Sequence, residues 1–211
     1  MMQLVTGADI FVDNYTPRVT KNLGLSYKEL TKVKQDIIML SLHGYGVIGP
    51  YSNTPAFGLC TDALSGVNSL IGYGDGIPIA TGTTLSDPVS SLFGVFAVLA
   101  ALDYRRETGK GQFIDLSMHD AIGCLMEEAI LPYIMNKCEP HQLGARHPYM
   151  APHGAYPCKG DDSWIAITVT SEKEWVNLCK VIANRAFTEE RFSDPLSQWE
   201  NQDELDRLIE Q

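Results

Sequence analysis

The chain has 211 residues, a net charge of −10, 45% hydrophobic and 20% charged residues. That length holds one full domain and part of another, and the composition is that of an ordinary globular protein. The acidic balance argues against a nucleic-acid footprint, which needs a basic patch, but a few local Lys or Arg side chains can still hold a polyanionic small ligand.

The N-terminus, Met1-Met2-Gln3-Leu4, lacks the basic region and apolar core of a signal peptide. No continuous apolar run reaches the roughly 18 residues of a membrane span. Residues 9–13 read as a short buried strand. Ser26 is a good cap for a helix with Leu30 and Val33 on its apolar stripe, and Glu29 completes a capping-box pattern. Residues 37–42 form a near-continuous apolar run, which suits a parallel strand covered on both faces. Residues 43–55 are a loop rich in Gly, Pro, Tyr and Asn. Residues 58–71 read as helix and 72–76 as a turn.

Residues 79–88 follow, a Gly/Thr loop ending in Ser86-Asp87-Pro88. They set one carboxylate at the start of an apolar stretch, 92–102, that reads as a buried helical rod. Asp is a preferred N-cap, and Pro suits the first helical position. Equally, the Gly82 loop admits a close ligand, free N–H groups at a helix start bind oxyanions, and carboxylates serve as nucleophiles. Local sequence leaves both roles of Asp87 open. The helix should run to about Arg106, where basic residues and then Gly109 mark its end.

Residues 113–117 read as a strand. Asp120 is placed to cap a further helix, which Pro132 should kink or end. Alternating strands and helices predict an α/β domain with a mainly parallel sheet. Residues 138–153 carry three prolines and three histidines and read as a linker or functional loop. Strands at 154–158 and 164–169, a turn at 159–162 and a helix at 172–182 come next. The amphipathic tail, 203–209, has nothing after it to pack against.

The five cysteines, Cys60, Cys124, Cys138, Cys158 and Cys179, form no CxxC pair, which fits reduced thiols in the cytoplasm. His43 sits at the C-terminal end of a predicted parallel strand, the edge where open sheets bind ligands, although a lone histidine there also serves structure. His119 falls beside a helix start. His141, His147 and His153 lack metal-ligand spacing, so no metal site is expected. Neither a serine nucleophile elbow nor a phosphate-binding glycine fingerprint is present. Arg18 and Lys21, after Asn14-Tyr15-Thr16-Pro17, are either phosphate contacts or two bases on a solvated turn.

Taken together, these segments resemble the class III CoA-transferase family, which includes formyl-CoA transferase and carnitine CoA-transferase. The match is carried by Ala8-Asp9-Ile10-Phe11-Val12-Asp13-Asn14-Tyr15-Thr16-Pro17, by Leu23-Gly24-Leu25, by Leu42-His43-Gly44-Tyr45-Gly46 with Gly49-Pro50-Tyr51, and by residues 105–118 around Thr108-Gly109-Lys110-Gly111-Gln112. His43 departs from the family pattern, which has Ser there. The resemblance implies an α/β fold: a partial Rossmann-like open-sheet domain (1–137), a linker (138–153) and the start of a smaller α/β domain (154–211). It implies that Asp87 is the nucleophile that takes CoA from an acyl-CoA donor through an aspartyl-CoA thioester and passes it to a small carboxylic acid. CoA is then substrate, with no resident cofactor or metal. Asn14, Tyr15 and Thr16 and also Pro55, Ala56 and Phe57 match CoA-contact segments. A family Arg falls on Asn22, with Lys21 beside it as a substitute. Residues 146–154 resemble the entry to the smaller domain near the acyl site. Relatives form interlocked homodimers, and no membrane or nucleic-acid partner is implied. Two other readings stand beside transfer. Acyl-CoA racemases pair a His with an Asp, but Phe57 occupies their His position and a phenyl ring moves no proton. Relatives also carry segments before and after the matched region, so the chain is expected to be a fragment, one that binds CoA with little turnover by itself.

Overall fold

Three parallel strands, β1 (Ile10–Asp13), β2 (Ile38–His43) and β3 (Phe113–Ser117), are ordered β1-β2-β3 in one sheet. Ile10 pairs with Ile38 and Asp13 with Ser41, while Leu40 pairs with Ile114 and His43 with Ser117. This is the α/β arrangement the alternation predicts. The computed structural model describes residues 1–211, in two compact units: Met1–Ile71 with Pro78–His141, and Gly72–Ile77 with Gln142–Gln211.

The central strand β2 is buried along its length except at Leu42, as its apolar run requires. β1 departs from the expected buried strand. It lies at the sheet edge, and Val12 is 56% exposed. Between β1 and β2 run α2 (Pro17–Asn22) and α3 (Tyr27–Val33), after the short α1 (Met2–Val5). Leu30, Ile37, Met39, Leu25 and Val5 form the core on this side. The capping box does not form. Ser26 caps α3 by position without a side-chain bond, and Glu29 pairs with Lys32 instead.

Between β2 and β3 come α4 (Gly58–Ser65), α5 (Val67–Leu70) and α6 (Ser86–Thr108). Gly66, with φ +91°, divides the single helix expected over 58–71. α6 packs on the sheet through Gly94, whose missing Cβ would sit 3.1 Å from Leu40. Its far end is tied down by Arg105, which pairs with Asp9 and Asp36. Gly109 then closes the helix in the left-handed conformation. α6 is not the buried rod expected. Leu92, Val95, Phe96 and Leu99 form an exposed stripe at helical spacing. Helix-on-sheet packing covers one face only, and this face has no partner within the chain. By length and hydropathy α6 is also long enough to cross a membrane, although polar residues interrupt its apolar run.

After β3, the helix expected from Asp120 splits into α7 (Met118–Gly123) and α8 (Glu127–Asn136). Ser117, not Asp120, caps α7 by accepting the Asp120 N–H. The break falls at residues 124–126, and Pro132 is accommodated inside α8.

In the second unit, β4 (His153–Pro157) and β5 (Trp164–Thr168) form an antiparallel hairpin. α9 (Glu172–Ile182) follows, capped by Ser171. Two 3-10 turns, α10 (Pro195–Glu200) and α11 (Gln202–Ile209) complete the unit. The tail does have a packing partner. Leu205 on α11 is fully buried with Trp175, Phe187 and Phe192. Arg146 pairs with Asp203 and Asp206, and the Tyr156 hydroxyl donates to Asp206 at 2.7 Å.

Candidate active site

The start of α6 is capped from outside its own segment. Asp62, on α4 and 0% exposed, accepts the Leu85 N–H at 2.9 Å and the Ser86 N–H at 2.8 Å. Two of the helix's orphan donors are thereby met by a carboxylate, which the helix dipole also favours. A buried hydroxyl network supports the joint. Thr61 and Ser86 lie 2.6 Å apart, Ser86 donates to the Gly58 carbonyl, and Ser90 donates back to the Ser86 carbonyl.

Asp87 is therefore not the cap that local sequence allowed. It lies one residue inside the helix, exposed, with one oxygen accepting from Thr84 Oγ1 at 2.6 Å. Gly58 abuts it: a Cβ there would fall 2.9 Å from the Asp87 Oδ2 and 2.5 Å from Thr84 Cβ. Only glycine permits this approach. The N–H groups of Gly58 and Leu59, at the first turn of α4, have no backbone partner and remain available as donors.

Asp87 faces a cleft of about 200 Å³. Asn14, Tyr15 and Thr16 line it from the β1–α2 turn, Ala56, Phe57 and Gly58 from the approach to α4, and His43, Gly44, Ser52, Thr54 and Met118 complete it. The β1–α2 turn is held by Asp13, which is buried and accepts from Thr20 Oγ1, from Ser41 Oγ at 2.7 Å and from the Tyr15 N–H. His43 is 4% exposed, and its Nδ1 is buried with no hydrogen-bond partner. No Lys or Arg lines the cleft.

Of the residues singled out from sequence, Asn14, Tyr15, Thr16, His43, Ala56, Phe57 and Asp87 meet in this cleft. Arg18, Lys21 and Asn22 are exposed on α2, and Pro55 is exposed beside the cleft without lining it. Sequence reasoning missed Asp62 and Asp13. Their signal was an acidic residue among apolar neighbours, which is common at surfaces and gains meaning only from burial.

The sequence profile of CoA-transferase family III matches residues 1–211. The acetyl-CoA:oxalate CoA-transferase of Acetobacter aceti is 33% identical over 211 residues, covering 99% of this chain and 54% of that protein. A succinyl-CoA–L-malate CoA-transferase beta subunit of Chloroflexus aurantiacus is 31% identical over 182 residues, covering 85% of this chain and 45% of that one. Among solved structures, a CAIB/BAIF family protein from Brucella suis superposes with a TM-score of 0.91 at 26% identity, over 99% of this chain and 55% of that chain. The chain thus spans about half the length of the curated relatives it matches.

Proposed function

The chain belongs to CoA-transferase family III, and from that premise we propose that Asp87 carries CoA between a donor acyl-CoA and an acceptor carboxylate as an aspartyl-CoA thioester. The observation that carries the reading is the division of labour at α6. Asp62 does the capping, so Asp87 is an exposed carboxylate in a cleft with its chemistry free.

Asp87 attacks the thioester carbonyl, the C–S bond breaks, and a mixed anhydride and CoA thiolate result. The thiolate attacks the aspartyl carbonyl, releasing the donor acid and leaving aspartyl-CoA. An acceptor carboxylate repeats both steps in reverse. One thioester replaces another, so the exchange balances without ATP. The N–H of Gly58, the residue that abuts Asp87, is suited to the oxyanion formed at each attack. Asn14, Tyr15 and Thr16, with Ala56 and Phe57, are proposed to hold the pantetheine arm, and Pro55 to shape its approach. Arg18, Lys21 and Asn22, exposed on the adjoining α2, are proposed to meet the CoA phosphates. Oxalate and malate in the names of relatives support a small carboxylic acid as acceptor. The exposed apolar stripe of α6 supports burial in a homodimer, and the free thiols support a cytoplasmic setting.

One observation favours a second reading. Phe57 cannot move a proton, but His43 lines the same cleft as Asp87, which supports these two as the acid–base partners a racemase would need. Intact mass analysis with acyl-CoA, followed by hydroxylamine trapping, separates the two. Transfer yields a CoA or hydroxamate adduct on Asp87 that Asp87→Ala abolishes. Solvent deuterium at the acyl α-carbon without any adduct would overturn transfer in favour of racemisation.

A further inference from the structure

We propose that His43 is a catalytic hydrogen-bond donor to the CoA sulfur, holding the thiolate that leaves when Asp87 opens the thioester; this rests on Asp87 being the nucleophile. The imidazole is 4% exposed, its Nδ1 is buried without a partner, and the ring lines the cleft that Asp87 faces. A buried polar group left unmet is costly, and because Nδ1 is itself closed to the cleft, a ligand there meets the imidazole through its other ring nitrogen, Nε2. No Lys or Arg lines the cleft, so His43 is the one basic side chain there.

The chemistry calls for such a group. A thiol ionises near about pH 8.5, so its thiolate is a reluctant leaving group at neutral pH, whereas the carboxylates that enter and leave are stable anions. The oxyanion at the attacked carbonyl has another donor in the N–H of Gly58, which abuts Asp87. As the Asp87 oxygen bonds to the acyl carbon, the C–S bond breaks and its electron pair leaves on sulfur, where the imidazole N–H donates. The thiolate then attacks the aspartyl carbonyl and that hydrogen bond loosens. No proton is consumed, so neutral imidazole serves in both directions.

The test compares CoA with desulfo-CoA on the 211-residue chain, on His43→Leu and on His43→Gln. At about pH 8.5, near the ordinary thiol pKa, wild type should bind CoA about 10-fold more tightly than desulfo-CoA. His43→Leu should make the two affinities equal, and His43→Gln, which keeps an N–H donor, should retain a preference. His43→Leu should also slow adduct formation on Asp87 about 100-fold, the usual effect of losing one such donor. Equal binding of CoA and desulfo-CoA by wild type overturns the proposal without recourse to any variant. So does an unchanged preference in His43→Leu. Failure of the Asp87 reading looks different: the sulfur preference persists and depends on His43, but no adduct forms. Deuterium entering the α-carbon in wild type and not in His43→Leu would make His43 a proton-transfer group and overturn its role as a donor to sulfur.

Discussion

Asp62→Ala removes both acceptors from the start of α6 and strands two N–H groups, that of Ser86 buried and that of Leu85 half-buried. Hydrogen bonds to a charged group contribute about 1.5–3 kcal/mol each, and losing a helix cap costs about 0.5–2 kcal/mol. Deletion also relieves the desolvation of a carboxylate that is met by N–H groups rather than by a cation, which offsets part of the loss. The net cost should be about 2–3 kcal/mol, a fall of roughly 4–12 °C in the thermal midpoint for a chain of this size. Asp62→Asn separates charge from shape. Its amide oxygen can serve one N–H, but its NH2 group faces the other, so it should recover less than half of the loss. The assay is thermal unfolding by circular dichroism, run beside hydroxylamine trapping at Asp87. Trapping should fall with the cap, because the turn that aims Asp87 loosens, while CoA affinity changes little. An Asp62→Ala midpoint within about 1 °C of wild type would refute the claim that this carboxylate carries the cap.

Asp87→Ala is the complement. If Asp87 is relieved of capping, its loss should alter stability by no more than about 0.5 kcal/mol in denaturant unfolding, while the adduct disappears. A loss of about 2 kcal/mol would restore it to the cap role. In the second unit, burial first and then the bond to Asp206 raise the Tyr156 phenol well above its ordinary pKa of 10.0. A group raised on folding contributes stability that is complete below its unfolded pKa and is lost as pH climbs above it. Stability of this unit should therefore decline above about pH 10, and Tyr156→Phe should flatten that decline and lower stability near neutrality by about 1–2 kcal/mol, both read from denaturant midpoints against pH. Phe96 is 74% exposed on the α6 stripe. Phe96→Glu should leave the fold intact by circular dichroism and reduce the apparent mass in size-exclusion chromatography; an unchanged mass would argue against assembly through this face.

Much of the scaffold was legible residue by residue. The apolar run at 37–42 announced a strand buried on both faces, and Arg105, Arg106 and Gly109 announced the end of α6. Misreadings share one cause. Ser26, Asp120 and Asp87 all carry good capping chemistry, yet none caps with its side chain, because position relative to the first turn decides which oxygen reaches an N–H. The buried rod at 92–102 failed for a related reason: apolar character tells how much surface wants cover, not which face receives it.

Chain order by itself determined that strands and helices alternate and that a carboxylate stands at the mouth of the long helix. It could not determine what that carboxylate is free to do. That was decided in three dimensions, by Asp62 reaching across 23 residues of sequence to cap α6, and by Gly58 and His43 closing on the cleft from α4 and β2. Hydrogen bonds and burial depend on distance in space, and the packing of α4 against α6, with α6 on the parallel sheet, is what converts remote positions into neighbours of Asp87.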